Sequence, residues 1–461
     1  MPCSDYHLGG GRGQLIVGAR ASGKYNRRVY FAYSLLLCLA LLVSAPWWLL
    51  EMLRHGKYRI GLRERLGAVP ERLRDVTDGE TIWIHAVSVG EVLAITRVVD
   101  DLKVRLPEWR VVISTTTDAG QKLACERFGA ASVFYFPLDV SWAVNAYLRT
   151  LKPKLLVLAE SEFWPNLLHQ AHHRAVPVAV VNARVSDRSL PRYLQFRGLL
   201  RDVMDNVDVF LAQSEEDARR LVAIGAPADR VHVGGNLKFE MKAPGKNVVA
   251  AAFSAAVQRD PFGPVLVAGS TLEGEEQMLL DCFRRAMQPY PAAVLVLAPR
   301  HPERFAAVVA LLESSGLTWQ RRSQWNGQEL TSGSVFLLDT IGELASLYQY
   351  ADVAFVGGSL VPCGGHNVLE AAQFGVPILV GPHTENFRDI IGIFTRAAAL
   401  RVVRPESLTA TVLGLLNNDE ERARLGRNAS AVMREQQGAT ERTVAALLEL
   451  VPASVAAERR A

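Results

Sequence analysis

From residue 81 onward, short uninterrupted apolar runs alternate with longer amphipathic stretches. The first series of runs is Thr81–His85, Val111–Thr115, Leu155–Leu158, Val178–Val181 and Val209–Ala212. A second series follows: Val265–Ala268, Ala293–Ala298, Val335–Leu338, Val353–Val356 and Pro377–Val380. Each run is rich in Val, Ile and Leu and is bounded by Gly, Pro or polar residues, as expected of parallel strands buried on both faces. Helical periodicity lies between them, for example over Glu91–Arg105 and Glu275–Met287. Such alternation predicts doubly wound α/β sheets. The strand signal lapses near Asn236–Pro261, where Lys238, Lys242, Pro244, Gly245 and Lys246 collect. Two open α/β domains facing each other across a cleft are therefore expected, with ligands outside the carboxyl ends of the strands.

Phe31–Leu50 is a different kind of segment. It has no charged residue and is long enough for one membrane-crossing helix, with Pro46 expected to end it and Trp47 and Trp48 at the interface. No small-x-small cleavage site follows, so a permanent anchor is favoured over a signal peptide. Lys and Arg are balanced on its two sides, which leaves its orientation open. The basic run Arg54–Arg65 reads either as a lipid-surface stretch or as a solvated helix face. Upstream, Gly18–Lys24 imitates a phosphate-binding loop, but Tyr25 stands where Ser or Thr is needed, so it reads as tail. The resulting division is a tail over 1–28, an anchor helix over 29–52, and Rossmann-like domains over 53–240 and 241–461.

With 461 residues, 49 % of them apolar, the chain can build two or three cores. A net charge of +4 with interleaved signs is too mild for a nucleic-acid partner and suits an anionic surface or substrate. The scattered Cys3, Cys38, Cys125, Cys282 and Cys363 show no metal-ligand spacing, so free thiols and no metal site are expected.

Chemistry-bearing residues sit just past the strands. Ser88, Gly90 and Glu91 follow the first run; Glu91 reads either as a helix N-terminal carboxylate or as a general base. Glu160 and Glu162, beside Trp164 and Pro165, either cap a helix or bind acceptor hydroxyls. Arg184 is an anion ligand or a surface residue, and Lys238 a cleft cation or a linker lysine. In the second block, Arg300 is a phosphate or carboxylate ligand and His301 lies beside it. The strongest signal is Gly357-Gly358-Ser359 followed by Gly364-Gly365-His366-Asn367 and Glu370, read as a glycine-rich loop opening a helix towards an anion, with Glu370 placed for ribose hydroxyls. The spacing is not that of a dinucleotide dehydrogenase.

Taken in order, the stretches WIHAVSVGE, ESEFWPNLL, NARVSDRS, GGNLKFE, APRHPERF, DTIGEL, VGGSLVPCGGHNVLEAA and GPHTENFRDI resemble the 3-deoxy-D-manno-octulosonic acid (Kdo) transferases of Gram-negative bacteria, from about Tyr58 to about Asp389. The chain departs from that pattern at Glu240, Cys363, Val368 and Ala371. The resemblance implies a GT-B fold, CMP-Kdo as donor, a lipid A precursor as acceptor, and no cofactor or metal. It also implies an inner-membrane location with the catalytic domains on the cytoplasmic side. It gives Glu91 the role of catalytic base, with Ser88, Gly90, Glu160, Glu162, Arg184 and Lys238 around acceptor or sugar. Arg300, His301, Gly357, Gly358, Gly365, Asn367 and Glu370 would surround CMP. Two rival readings are a nucleotide-sugar epimerase of the same build and a membrane-tethered nucleotide-sensing module.

Overall fold

The computed structural model describes residues 27–55, 61–74, 79–187, 189–240, 248–259, 263–325, 327 and 330–451. The chain forms two compact units, Met1–Glu240 with Gly438–Ala461, and Met241–Gln437.

Among the described residues the first unit is built on seven parallel strands: β1 (Thr81–His85), β2 (Arg110–Thr115), β3 (Val133–Tyr135), β4 (Leu155–Ala159), β5 (Val178–Ala183), β6 (Val209–Ala212) and β7 (Val231–Val233). Their order is β3-β2-β1-β4-β5-β6-β7. Trp83 lies between Val112 and Leu156 in register, and every residue of β1 is buried. Alternate side chains enter two separate cores. Trp83, Phe134, Leu156 and Val180 face one, and Ile82, Ile84, Val157 and Val181 face the other. Burial on both faces explains why the strands read as unbroken apolar runs.

The second unit repeats this design with β8 (Val265–Thr271), β9 (Val294–Pro299), β10 (Trp319–Arg321), β11 (Ser334–Leu337), β12 (Val353–Val356), β13 (Ile378–Val380) and β14 (Arg401–Val402). The order is β10-β11-β9-β8-β12-β13-β14, again parallel. Two doubly wound parallel-sheet units are thus present, as the alternation predicts. The stretch read as a linker also contains the helix Val248–Arg259, whose Val249, Phe253 and Ala256 are buried.

The strands that the apolar runs did not announce are β3, β7, β10 and β14. All four are sheet edges of two or three residues. An edge strand pairs on one side only and needs less apolar surface, so its sequence carries a weaker signature.

The last helix belongs elsewhere than chain order suggests. Ala439–Leu450 returns to the first unit, where Val444, Ala446, Leu447 and Leu450 share a core with Val92, Ile95, Val98 and Val99 of the helix Val89–Arg105. The helix Ala439–Leu450 therefore leaves the expected 241–461 domain, because its apolar face completes the first core.

The helix carrying the expected anchor runs over Arg27–His55 and passes through Pro46 instead of stopping there. Proline removes one backbone donor, a loss that a long helix can absorb locally. Among the described residues no helix is long and apolar enough to cross a membrane. The side chains of Phe31, Ala32 and 48–50, which complete the apolar segment, lie outside them, as do the tail over 1–26 and its phosphate-loop lookalike. Of the basic run, Arg65 is not solvated surface. It donates to the Thr116 carbonyl and lies 4.5 Å over the Tyr135 ring.

Candidate active site

In the first unit, β1 and β4 are neighbours from which the chain winds in opposite directions, the position where such sheets bind ligands. The loops after them carry the carboxylates. After β1, Ser88 is extended (φ −125°, ψ 170°) and starts the helix Val89–Arg105. Ser88 Oγ donates to Glu91 Oε1 at 2.9 Å, and the Val87 N–H donates to Oε2 at 2.7 Å. The helix N-terminal reading of Glu91 is visible in these contacts. It caps the helix turn, and the capping bonds fix the carboxylate in one orientation. Glu91 is 6 % exposed, and burial pushes its pKa up to about 7. The negative charges of Glu160 and Glu162 push it further, while the bonds from Val87 and Ser88 oppose the rise. A carboxyl group that titrates near neutrality suits proton abstraction. Gly90 is exposed, and a Cβ there would meet nothing nearer than Ser88 Oγ at 4.0 Å, so no protein atom requires glycine at this point.

After β4, Glu160 adopts the left-handed region (φ 57°), and Asn182 in β5 does the same (φ 55°). Strain of this kind in non-glycine residues is typical of functional strand ends. Lys238 Nζ donates to Glu160 Oε1 at 2.7 Å. Glu162 is half-buried; burial and the neighbouring Glu160 raise its pKa. The backbone of Arg184 is tied to the same loop, its N–H donating to Ser161 Oγ at 3.1 Å. The first unit thus collects Glu91, Glu160, Glu162 and Lys238 by direct contact or charge, and Arg184 borders them through Ser161.

The glycine-rich loop of the second unit lies at the corresponding point, after β12 and beside β8. A residue missed in the sequence holds it. Glu275 is fully buried and accepts from Gly358 N–H (2.7 Å), Ser359 N–H (2.9 Å), Leu360 N–H (2.9 Å) and Leu272 N–H (2.9 Å). The Gly357 N–H donates to Gly269 and the Gly365 N–H to Gly358. The amides of this first loop therefore serve the protein itself. Gly358 (φ 69°) must be glycine for a second reason: a Cβ would approach the His366 ring to 2.8 Å. The helix expected after Asn367 is a single turn, Leu369–Ala372, too short for a substantial dipole. Positive charge comes from side chains. Arg300 and His301 are exposed after β9, and both charges, after burial itself, hold the His366 pKa down at about 4. Burial raises the pKa of Glu370 and Arg300 opposes that rise. Arg300, His301, His366 and Glu370 are thus linked electrostatically. His366 Nε2 is buried with no partner among the described residues. Among the described residues no cluster of metal-ligating side chains occurs.

Comparison with known proteins decides the family. The 3-deoxy-D-manno-octulosonic-acid transferase (kdotransferase) domain matches residues 61–241, and the glycosyl transferases group 1 domain matches residues 296–432. The 3-deoxy-D-manno-octulosonic acid transferase of Haemophilus influenzae is 34 % identical, covering 90 % of this chain and 96 % of that protein. The namesake enzyme of Bordetella pertussis is 38 % identical, with coverages of 79 % and 86 %. The chain belongs to the Kdo transferase family. This Kdo transferase is a glycosyltransferase, and it shares its fold with more distant proteins. The UDP-GlcNAc 2-epimerase of Neisseria meningitidis aligns with TM-score 0.52 at 14 % identity, over 80 % of this chain and all of that one. MurG of Acinetobacter baumannii aligns with TM-score 0.51 at 12 % identity, over 80 % and 99 %. The epimerase likeness is one of fold alone; the closer relatives are transferases.

Burial of Glu91 in the transferase has a consequence for stability. Its folded-state pKa, about 7, lies above the ordinary 4.5, so the folded chain holds this proton more tightly than the unfolded chain. Stability from this group is full below pH 4.5 and is lost as pH rises through 7, by about 3 kcal/mol at most. Glu91→Gln removes that dependence. Urea unfolding of both proteins at pH 5 and pH 8 should show the variant gaining relative to the native chain at the higher pH.

Proposed function

We propose that this transferase moves Kdo from CMP-Kdo onto a lipid A precursor, lipid IVA, in lipopolysaccharide core biosynthesis, by one displacement that inverts the anomeric carbon. The observation that carries this reading is the buried, rigidly held Glu91 carboxylate at a strand end, titrating near pH 7. In the reaction, the acceptor hydroxyl oxygen bonds to the anomeric carbon while the bond from that carbon to the CMP phosphate oxygen breaks. Glu91 takes the hydroxyl proton, and the bond electrons leave with CMP. Ser88 holds Glu91; Gly90 leaves room beside it for the incoming hydroxyl. Glu160, Glu162, Arg184 and Lys238 line the acceptor and sugar side.

CMP falls to the second unit. Arg300 and His301 meet phosphate charge, which lets the leaving group depart without a metal. Glu370 accepts from ribose hydroxyls, and Gly357, Gly358, Gly365 and Asn367 shape the surface beneath. The helix Arg27–His55 is the anchor at the inner membrane, with both units on the cytoplasmic side. Leu36, Leu42, Val43 and Trp47 are 66, 69, 81 and 61 % exposed, an apolar surface that lipid accepts and water does not.

Incubation of the purified protein with CMP-Kdo and lipid IVA, followed by mass spectrometry, tests the whole reading. A lipid product heavier by a Kdo residue supports it, and hydrolysis of CMP-Kdo without lipid product overturns it. Glu370→Ala should weaken CMP binding about tenfold or more by calorimetry, the loss of a charge-assisted contact, with acceptor affinity unchanged.

A further inference from the structure

The helix Arg27–His55 is tied to the first unit near its start by polar groups. Tyr30 is 8 % exposed and stacks on His169, with ring centroids 3.9 Å apart. Its Oη donates to the Asp202 carbonyl at 3.0 Å and accepts from Asn206 Nδ2 at 2.9 Å. One turn further on, Ser34 Oγ donates to Asn166 Oδ1 at 3.2 Å and lies 3.1 Å from Asn166 Nδ2, which also donates to the Asp139 carbonyl. Tyr30 meets His169 and Ser34 meets Asn166, so this helix runs antiparallel to the helix Pro165–His173. Beyond Ser34 it therefore passes the start of Pro165–His173 and leaves the unit at the edge where the strands end. That is the edge that carries Glu91, Glu160 and Glu162.

The start of Pro165–His173 is built on the same contacts. Its N-cap residue, Trp164, supplies no side-chain cap. Asp139 does so from outside: Oδ2 accepts from the Asn166 N–H and Oδ1 from the Leu167 N–H, each at 2.9 Å. Asp139 and Asn166 are 2 and 1 % exposed. The loop before them is pinned as well. The Glu160 N–H donates to the Val181 carbonyl at 2.8 Å, and the Trp164 ring packs against Phe136 with centroids 5.1 Å apart. Glu160 and Glu162 thus stand on a short, supported span whose far end is hydrogen-bonded to the helix Arg27–His55.

We propose that Tyr30 and Ser34 are positioning residues: with Asp139, Asn166 and Asn206 they form a polar clamp that fixes the anchor helix to the Glu160–Glu162 loop and so sets the height of that loop above a bilayer. The proposal rests on the reading of Arg27–His55 as the anchor and of a lipid as the acceptor, and adds how the two are coupled. Apolar contact is non-directional and lets packed helices slide or turn, whereas buried hydrogen bonds fix one register. A lipid acceptor keeps its acyl chains in the hydrocarbon layer and its sugar at the interface. A loop held at one height meets that sugar already placed for reaction.

Tyr30→Phe combined with Ser34→Ala unfastens the clamp and leaves its surroundings in place, because Asn166 keeps Asp139 and Asn206 keeps the Asp202 and Val203 carbonyls. The purified protein is assayed with CMP-Kdo and lipid IVA presented in two ways: in phospholipid vesicles, and in detergent micelles, which offer no flat surface at a set height. In vesicles the double variant should show a KM for lipid IVA raised about tenfold, as two lost hydrogen bonds allow, with kcat near the native value. Its kinetics in micelles should stay native. Ser34→Thr, which keeps the hydroxyl, should keep the native KM in vesicles. An unchanged vesicle KM, a loss confined to kcat, or an equal loss in micelles overturns the proposal; in the last case the contacts would merely shape the loop. Native protein that fails to sediment with vesicles overturns the anchor reading itself, and native protein that transfers nothing in either presentation overturns the acceptor reading. Both results differ from a native enzyme that is bound and active and a double variant that matches it, where the clamp alone fails.

Discussion

Glu91→Gln should lower kcat for sugar transfer by about 10²- to 10⁴-fold, the usual contribution of a positioned general base. The amide is nearly isosteric: its carbonyl oxygen can accept from the Val87 N–H and its NH2 can donate to Ser88 Oγ, so the helix start should persist. What it lacks is a group able to take a proton near pH 7. Single-turnover transfer assays, with far-UV circular dichroism and CMP calorimetry as controls for fold and donor binding, provide the measurement. Near-native turnover with intact CMP binding would remove Glu91 from the base role. In the native enzyme, kcat/KM should rise through about pH 7 as the Glu91 carboxyl deprotonates.

Glu275→Ala should have the largest effect on stability. Four backbone N–H groups converge on this fully buried carboxylate. Truncation leaves them without an acceptor, at about 1–3 kcal/mol for each group that cannot relax towards water, so a total loss of about 4 kcal/mol or more is expected. The loop Gly357–Leu360 would lose its shape, and CMP affinity should fall with it. Denaturant unfolding measures the first effect and calorimetry the second. Glu275→Gln distinguishes charge from shape, because the amide offers one acceptor oxygen in place of two. It should fall between the native chain and Glu275→Ala on both measures. A native-like Glu275→Ala protein would show that the loop holds its conformation without the carboxylate.

Glu275 also illustrates where sequence reading stops. In the chain it is one of two adjacent glutamates opening a helix, indistinguishable from ordinary first-turn acids. Its meaning lies in amides more than eighty residues further along. Asn182, Gln213 and Asn236 are similar. In sequence none of them has an assigned role, although Asn182 and Asn236 lie in stretches that carry the family resemblance, and in the fold they support the Lys238 turn. The Lys238–Glu160 pair needed two loops brought together from 78 residues apart in the chain.

The central strands were legible because burial on both faces demands continuous apolar runs, and the candidate residues were legible because parallel sheets present their ligands at strand ends. The sequence by itself therefore determined the two doubly wound sheets, the two loops holding Glu91 and the Glu160–Glu162 pair, and the family. Only the tertiary structure decided the four short edge strands, the return of Ala439–Leu450 to the first core, the protein-internal use of the loop amides and the proton affinity of Glu91. These features depend on which distant groups share a buried environment, and local periodicity does not encode desolvation or long-range hydrogen bonding.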